Sequence, residues 1–599
     1  MAMASTVGEF MTQRLVEWGV GTIYGYPGDG ITPFLEGLRR NQERIQFVQV
    51  RHEEQAAFMA CAHAKFTGQV GVCCATSGPG AIHLLNGLYD AKLDHAPVVA
   101  IVGQAPLKSL GGHMQQEVDL LSLYKDVAAE YCHMVAEPSM ARHVIDRAMR
   151  IAQSRRTVTC VIVPVDVQSM EAKPSQPHAT KTLHTGLGWR QPRVIPREED
   201  LQAAADVLNA GKRVAMLVGA GALHATDEIV AVADTLGAGI AKALLGKAAV
   251  PDDVPYCTNS IGLLGTRPSW EMMQDCDTLF MVGSSFPYAD FLPKEGQAKG
   301  VQIDLSGEMV NIRYPMDVAL VGDSRETLRE LMPLLRRKQD RSWQEKIAAG
   351  VERWWKLMDD RGEPEETERG LRPQALFASL SRQLPDNAII TSDSGSAANW
   401  AARHLRMRRG MKFSLSGNLA TMLPGLPYAL SAKFAFPDRV AIATVGDGAM
   451  QMGAMNELIT AAKYYQQWQD PRLCVLVLNN CDLNQVTWEF RVLYGDPKFE
   501  ASQEIPRLDF AKFARDLGLA GMRLDKADRI DEAWREALSA DRPFVIDAIV
   551  DPEEPPLPPH IKLEEAKMMA QAMLRGDPGR VPAMLQSARE KIDEFLPGR

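Results

Sequence analysis

No apolar run in this 599-residue sequence approaches the ~18 residues that a membrane-crossing helix needs, so no transmembrane span is expected. The opening stretch, MAMASTVGEFMTQRLVEWGV, has no basic start followed by an apolar core, so neither a signal peptide nor a transit peptide is expected. Excess positive charge is missing too. The 66 Lys and Arg against 75 Asp and Glu leave a formal charge of −9, which offers no footprint for nucleic acid. An anionic small ligand would need local positive sites instead. Nine cysteines, scattered and odd in number, show no metal-type spacing, and Cys73 and Cys74 lie inside an apolar strand pattern. Reduced core thiols in a cytoplasmic protein are therefore expected, not a disulfide framework.

What remains is globular material, 46% apolar and 24% charged, too long for one core. From Thr6 to about Val167, short apolar runs (IQFVQV, VGVCCAT, APVVAIVG, VTCVIVPVDV) alternate with helix-like segments, each switch marked by Gly, Pro or Ser. A polar stretch with prolines, Glu171 to Glu199, reads as a linker. Alternation resumes at RVAMLVGAGAL and runs through DTLFMVGSSF and VQIDL to DVALVGD; a charged connection, Arg336 to Gly370, leads to a third region from NAIITSDSGS to PFVIDAIVD. The expected fold is α/β, with three doubly wound parallel-sheet domains at 1–175, 190–335 and 370–550 and a helical tail at 551–599. Within that tail, DPEEPPLPPH is too proline-dense for anything but an extended strap, and the helix after Ile561 puts Met568, Met569, Ala572 and Met573 on one side. The only hint of repetition is a Gly-rich turn after an apolar strand in the first and third regions, SGPG and GDG.

The third region carries the strongest chemical pattern. VAIATVGDG ends a strand at a tight turn, and the helix that follows presents unpaired backbone N–H groups at Gly448, Ala449 and Met450, an anion site. Asp447 would repel phosphate there unless a divalent cation sits between them. Magnesium, with oxygen ligands from Asp447, the Asn480 amide and the Asp482 carbonyl, answers that demand, because LCVLVLNN returns Asn480 to the same end of the sheet.

GDG followed by a helix, a strand and NN resembles the signature of thiamine diphosphate enzymes. Thirty residues separate Gly448 from Asn479, several more than that family carries, and an extended helix end around Tyr464 to Pro471 would absorb them. The resemblance implies an activating glutamate at the junction of IQFVQV with the next helix, directly after a histidine, which selects Glu53 over Glu54. SGNLATMLPGLPYALSAK resembles the wedge that bends the cofactor, with Met422 between its rings and the Ala420 carbonyl receiving its amino group; Ser394, Gly395 and Ser396 would flank the diphosphate.

Over nearly the whole chain the sequence is similar to the pyruvate oxidase and pyruvate:quinone oxidoreductase group, and more broadly to the acetolactate synthases, with GYPG (Gly25 to Gly28), Ser77 of SGPG and Gln104 of GQAP as further cofactor-contact candidates. That likeness implies FAD in the central domain near Gly219, Gly221, Gly283, Phe286, Asp304 and Asp323. It implies a 2-oxo acid substrate, pyruvate, met by Gln116, with decarboxylation and passage of electrons through FAD to a quinone or oxygen. Carbon–carbon bond formation of the acetolactate synthase kind and a noncatalytic cofactor-binding role are the alternatives. It further implies a homodimer or homotetramer with sites at the subunit boundary, and a tail that either touches lipid or covers its own subunit. Gln115, Asn484 and Gln485 stand where the oxidases carry other residues, and Trp488 and Glu489 either shape the pocket or pack a helix.

Overall fold

The structure, a computed structural model, describes residues 5–175, 178–179, 181–556 and 563–579. Three six-stranded sheets are built in turn along the chain, and every strand pair in them is parallel. Helices cover both faces, so strands such as Gly71–Ala75 and Leu473–Asn479 are buried along their whole length and read as continuous apolar runs without alternation.

Numbered within each sheet in chain order, the strands of the first sheet lie 2-1-3-4-6-5, and those of the third lie 2-1-3-4-6-5 as well. SGPG follows the third strand of one, Gly71–Ala75, and GDG closes the third strand of the other, Ala441–Gly446. The hint of repetition in the two turns is thus a shared topology. The central sheet differs. Its strands lie 3-2-1-4-5-6, the order of dinucleotide-binding folds, with a switch point between Val214–Val218 and Thr278–Val282.

The first and third sheets share one apolar core. Helix Glu53–Thr67 is rich in alanine and packs on helix Gly425–Ala435 in a core that holds Ala56, Ala57, Ala60, Ala64, Leu426, Ala429, Leu430 and Ala432. Inside this contact Lys65 is buried and held by Asp94 at 2.6 Å, Tyr428 Oη at 2.7 Å and the Leu415 carbonyl at 2.9 Å, so the charge is paired as burial requires. All nine cysteines are free thiols.

The tail helix, Leu563–Leu574, lies on its own chain: Met569 and Met573 pack on Trp488 and Val492. Beneath them Arg491, buried, bonds Glu553 at 2.7 Å and Asp577 at 2.8 Å. Trp488 donates to the Pro552 carbonyl at 3.3 Å, so of its two expected roles the structure gives the packing one. The start of the LPPHIKLEEAK segment and the amphipathic stretch 583–596 lie outside the described residues. Among the described residues no helix is long and apolar enough to cross a membrane.

Candidate active site

The two asparagines that end strand Leu473–Asn479 do different work. Asn479 turns inward, donating to Asp547 at 2.8 Å and to the Leu508 carbonyl at 3.0 Å, and so locks the sheet. Asn480 faces the other way, beside the glycine-bracketed turn. There the Asp447 carboxylate accepts the N–H groups of Gly448 at 2.9 Å, Asn480 at 2.9 Å and Cys481 at 2.6 Å. Burial, opposed only by these three donors, still pushes the Asp447 carboxyl up to about 7. A buried carboxylate with no cationic partner among the described residues, next to an Asn480 amide oxygen that accepts the Asp482 N–H at 3.0 Å and keeps a second lone pair, is a donor set that a hard divalent cation would satisfy. Asp482 spends its carboxylate elsewhere, on Thr487 Oγ1 at 3.0 Å and Lys498 Nζ at 3.1 Å, which leaves its carbonyl as the group available toward that turn.

Two glycines test whether a phosphate could enter. A Cβ on Gly446 would meet nothing within 4 Å, and one on Gly395 (φ +82°) would meet only Gln485 at 3.8 Å, so their small size leaves open space and no neighbour of their own fills it. Gly28 is different: a Cβ there would strike Thr76 at 2.5 Å, which makes it a packing glycine. Ala449 and Met450 bury their side chains, so only their backbone at the start of helix Asp447–Met452 can face the turn.

Glu53 opens helix Glu53–Thr67, with His52 as N-cap. Its carboxylate lies 3.0 Å from His83 Nδ1 and within 3.2 Å of where a Cβ on Gly80 would stand, so the second glycine of SGPG leaves the space that Glu53 occupies. Ser77 of the same turn donates to Gln116 at 3.0 Å, which brings those two expected residues together, Gln116 at a φ of +62°. Gln104 is spent on its own domain, donating to the Val118 carbonyl at 2.8 Å and accepting from Ala105 N, so it holds the chain just after Gln116. Gln115 is exposed and Glu117 clamps that loop through the N–H groups of Gly111 and Met114.

The wedge segment is strained and firmly held. Ala420 has a φ of +52° and Leu423 one of +95°, conformations side chains disfavour, and they persist because neighbours fix the loop on both sides. Asp94, from the first domain, accepts the N–H groups of Gly417 and Asn418, each at 2.8 Å. Asp393, from the third, accepts those of Leu423 at 3.1 Å, Gly425 at 3.2 Å and its own neighbour Ser394 at 2.9 Å, and burial drives its carboxyl up to about 7. Ser394 Oγ donates to the Thr421 carbonyl at 2.8 Å, and Asn86 ties Thr421 to Glu54. The outcome is that the Met422 methyl comes within 3.4 Å of where a Cβ on Gly448 would stand, beside the GDG turn.

Asp393, Asp94, Asn86, His83 and Glu457 were missed by sequence reasoning. Glu457, fully buried with its carboxyl pushed up to about 7, accepts the Arg51 N–H at 2.8 Å and so fastens the third domain to the junction that presents Glu53. For Asp393 a signal existed: it stands directly before the Ser394–Ser396 turn already singled out. The others gave none: Asp94, Asn86 and Glu457 reach partners hundreds of residues away, and His83 meets Glu53 only where one helix end folds back on the start of another. The extra residues before Asn479 form a single 3-10 turn, Tyr465–Gln467, ending on buried Trp468. Asn484 is buried and bonds the Pro552 carbonyl at 2.7 Å, while Gln485 accepts from Asn399 at 3.1 Å beside Gly395.

In the central domain the expected glycines meet one another across the switch point. A Cβ on Gly219 would strike the Gly283 carbonyl at 2.4 Å, and one on Gly283 (φ +58°) would strike Gly221 at 2.5 Å. Backbone packing already requires them. Asp323 caps helix Ser324–Leu331 and pairs with His224 at 3.0 Å, Asp304 bonds Ser306 N, and Phe286 is buried against Gly262. Leu223, Leu305 and Val321 are nevertheless exposed apolar side chains that end or follow the strands Val214–Val218, Lys299–Asp304 and Val318–Val321, on the side at which such sheets take ligands.

Three family descriptions match the chain in order: thiamine pyrophosphate enzyme, N-terminal TPP binding domain, at residues 5–123; the central domain of the same enzymes at 201–331; and their C-terminal TPP binding domain at 393–548. Among similar proteins, YdaP of Bacillus subtilis, provisionally described as thiamine pyrophosphate-containing, is 37% identical over 95% of this chain and 96% of its own length. Pyruvate oxidase of Lactiplantibacillus plantarum is 28% identical over 94% of this chain and 91% of its own. Acetolactate synthase of Arthrospira platensis is 30% identical over 92% and 96%.

Proposed function

The chain belongs to the thiamine pyrophosphate enzymes, and we propose that within them it decarboxylates a 2-oxo acid, pyruvate, and passes the electrons through FAD to a quinone or oxygen. The observation that carries the reading is the buried, cation-seeking Asp447 with Asn480 beside open space at Gly446, set against a strained loop that brings Met422 to the same turn.

Asp447, Asn480 and the Asp482 carbonyl would hold magnesium, and Ser394, Gly395, Ser396 and the helix start at Gly448 to Met450 would receive the diphosphate. Thiamine diphosphate, when bound, supplies an electron sink for the carbon that loses carbon dioxide. Glu53 would hold a proton against the aminopyrimidine ring, and His83, 3.0 Å away, fixes where that carboxyl points. Met422 would press between the cofactor's rings, with the Ala420 carbonyl accepting the amino group. Gln116, kept in place by Ser77, would bind the substrate carboxylate's side of the pocket.

Two subunits completing each other's sites is part of this reading. Ile82, next to His83, is 44% exposed and Met452, at the end of the GDG helix, is 62% exposed; this apolar surface beside both halves of the site is what a second copy would cover. FAD in the central domain is supported by the dinucleotide strand order and by the exposed apolar Leu223, Leu305 and Val321 at the carboxyl side of its sheet. Gln104, Gly28 and Asp323, each spent on internal contacts, would serve by shaping the walls.

The similarity to an acetolactate synthase supports a second reading, carbon–carbon bond formation between two 2-oxo acids. One experiment separates them: purified protein given pyruvate, thiamine diphosphate and magnesium, with an artificial electron acceptor. The oxidase reading expects a yellow protein, acceptor reduction and no acyloin. Acyloin formation without acceptor reduction would overturn it in favour of the second.

A further inference from the structure

We propose that His52, Glu53 and His83 form a site for a divalent transition metal of the zinc class, and that metal held there withdraws Glu53 from its catalytic position. One ligand atom from each residue lies within 4.8 Å of the others, and Glu53 Oε2 and His83 Nδ1 are 3.0 Å apart. Tetrahedral ligands at zinc distances stand about 3.3 Å from one another, so small side-chain rotations close the set. Two imidazoles and one carboxylate are a zinc donor combination with a fourth position left for water, and a poor one for magnesium, which prefers oxygen.

The fold presets the arrangement. His52 Nδ1 accepts the Glu54 N–H at 3.3 Å as the helix N-cap, which orients the ring beside Glu53. His83 ends helix Pro79–His83, and the two rings lie 4.5 Å apart and tilted by 30°. In the single chain both histidine side chains are accessible while Glu53 is mostly buried, so a metal could reach the cluster before a second subunit and the cofactor cover it.

The binding stands on this geometry alone; the withdrawal rests on the role proposed for Glu53, and the experiment separates the two. Zn2+ is titrated calorimetrically into chelator-treated full-length protein free of thiamine diphosphate, for the wild type, His52→Asn and His83→Ala. Asparagine keeps the N-cap and removes the ligand, so folding is preserved. The expected result is one Zn2+ per chain whose affinity falls by at least about tenfold in both variants, since even indirect partners of a metal contribute that much. Equal affinity in all three proteins would overturn the site. In the second arm, Zn2+ added before thiamine diphosphate should slow the onset of turnover in the wild type and require roughly tenfold more metal in His52→Asn. Binding at the site with no effect on turnover would keep the metal site and overturn the withdrawal, and with it the role given to Glu53.

Discussion

Asp393 is the residue on which the wedge loop turns, and its chemistry makes a prediction of definite sign. Its carboxyl, raised from 3.8 to about 7 by burial, stays protonated in the folded chain where the unfolded chain has already lost the proton. Between pH 4 and 7 it therefore binds a proton only when folded, so the stability it contributes falls as pH rises, by at most about 1.4 kcal/mol per pH unit. Asp393→Asn removes that slope. The wild type's advantage in melting temperature should be largest near pH 4 and shrink toward pH 7; a gap that widens with pH would contradict the account. Sequence reasoning singled out Asp447 and Asn480 from the GDG and NN turns themselves, and Glu53, Met422 and the Ser394–Ser396 turn beside Asp393 from the family resemblance; all remain candidates. His83, Asp94 and Glu457 were illegible, since a carboxylate or imidazole gains its meaning from a backbone N–H or side chain that only tertiary packing brings near.

Among the elements, the strands were legible because double burial makes their runs continuously apolar, and the Gly-rich turns because glycine is required there. What packs on what was less so. Trp488 reads in sequence as either pocket wall or helix packing, and the tail helix decides the matter by covering it. That helix depends on a buried cation: Arg491→Met would leave the Glu553 and Asp577 carboxylates buried without their cationic partner, at a cost of about 3–5 kcal/mol. Limited proteolysis should then cut within Leu563–Leu574 well before the rest of the chain is attacked. Resistance equal to the wild type's would show that the ion pairs do not hold the tail.

At the scale of the whole molecule, two sheets of one topology are fused through an alanine-lined helix pair, and each contributes a Gly-rich turn at the end of its third strand. One turn makes room for Glu53, the other carries Asp447. In the proposed function these two turns, one from each subunit, would meet unlike ends of the cofactor. The central sheet stands apart in its strand order, and its glycines show how a motif legible in sequence can be explained by packing before any ligand is considered.

The central claim is that Glu53 activates thiamine diphosphate bound at Asp447, and proton exchange at the cofactor's reactive carbon, followed by NMR after transfer to D2O, tests it without any substrate. Exchange in wild-type protein loaded with thiamine diphosphate and magnesium should be at least about 100-fold faster than in Glu53→Gln, the scale of a positioned acid–base group, with the cofactor still bound in both. Equal exchange rates in the two loaded proteins would contradict the account.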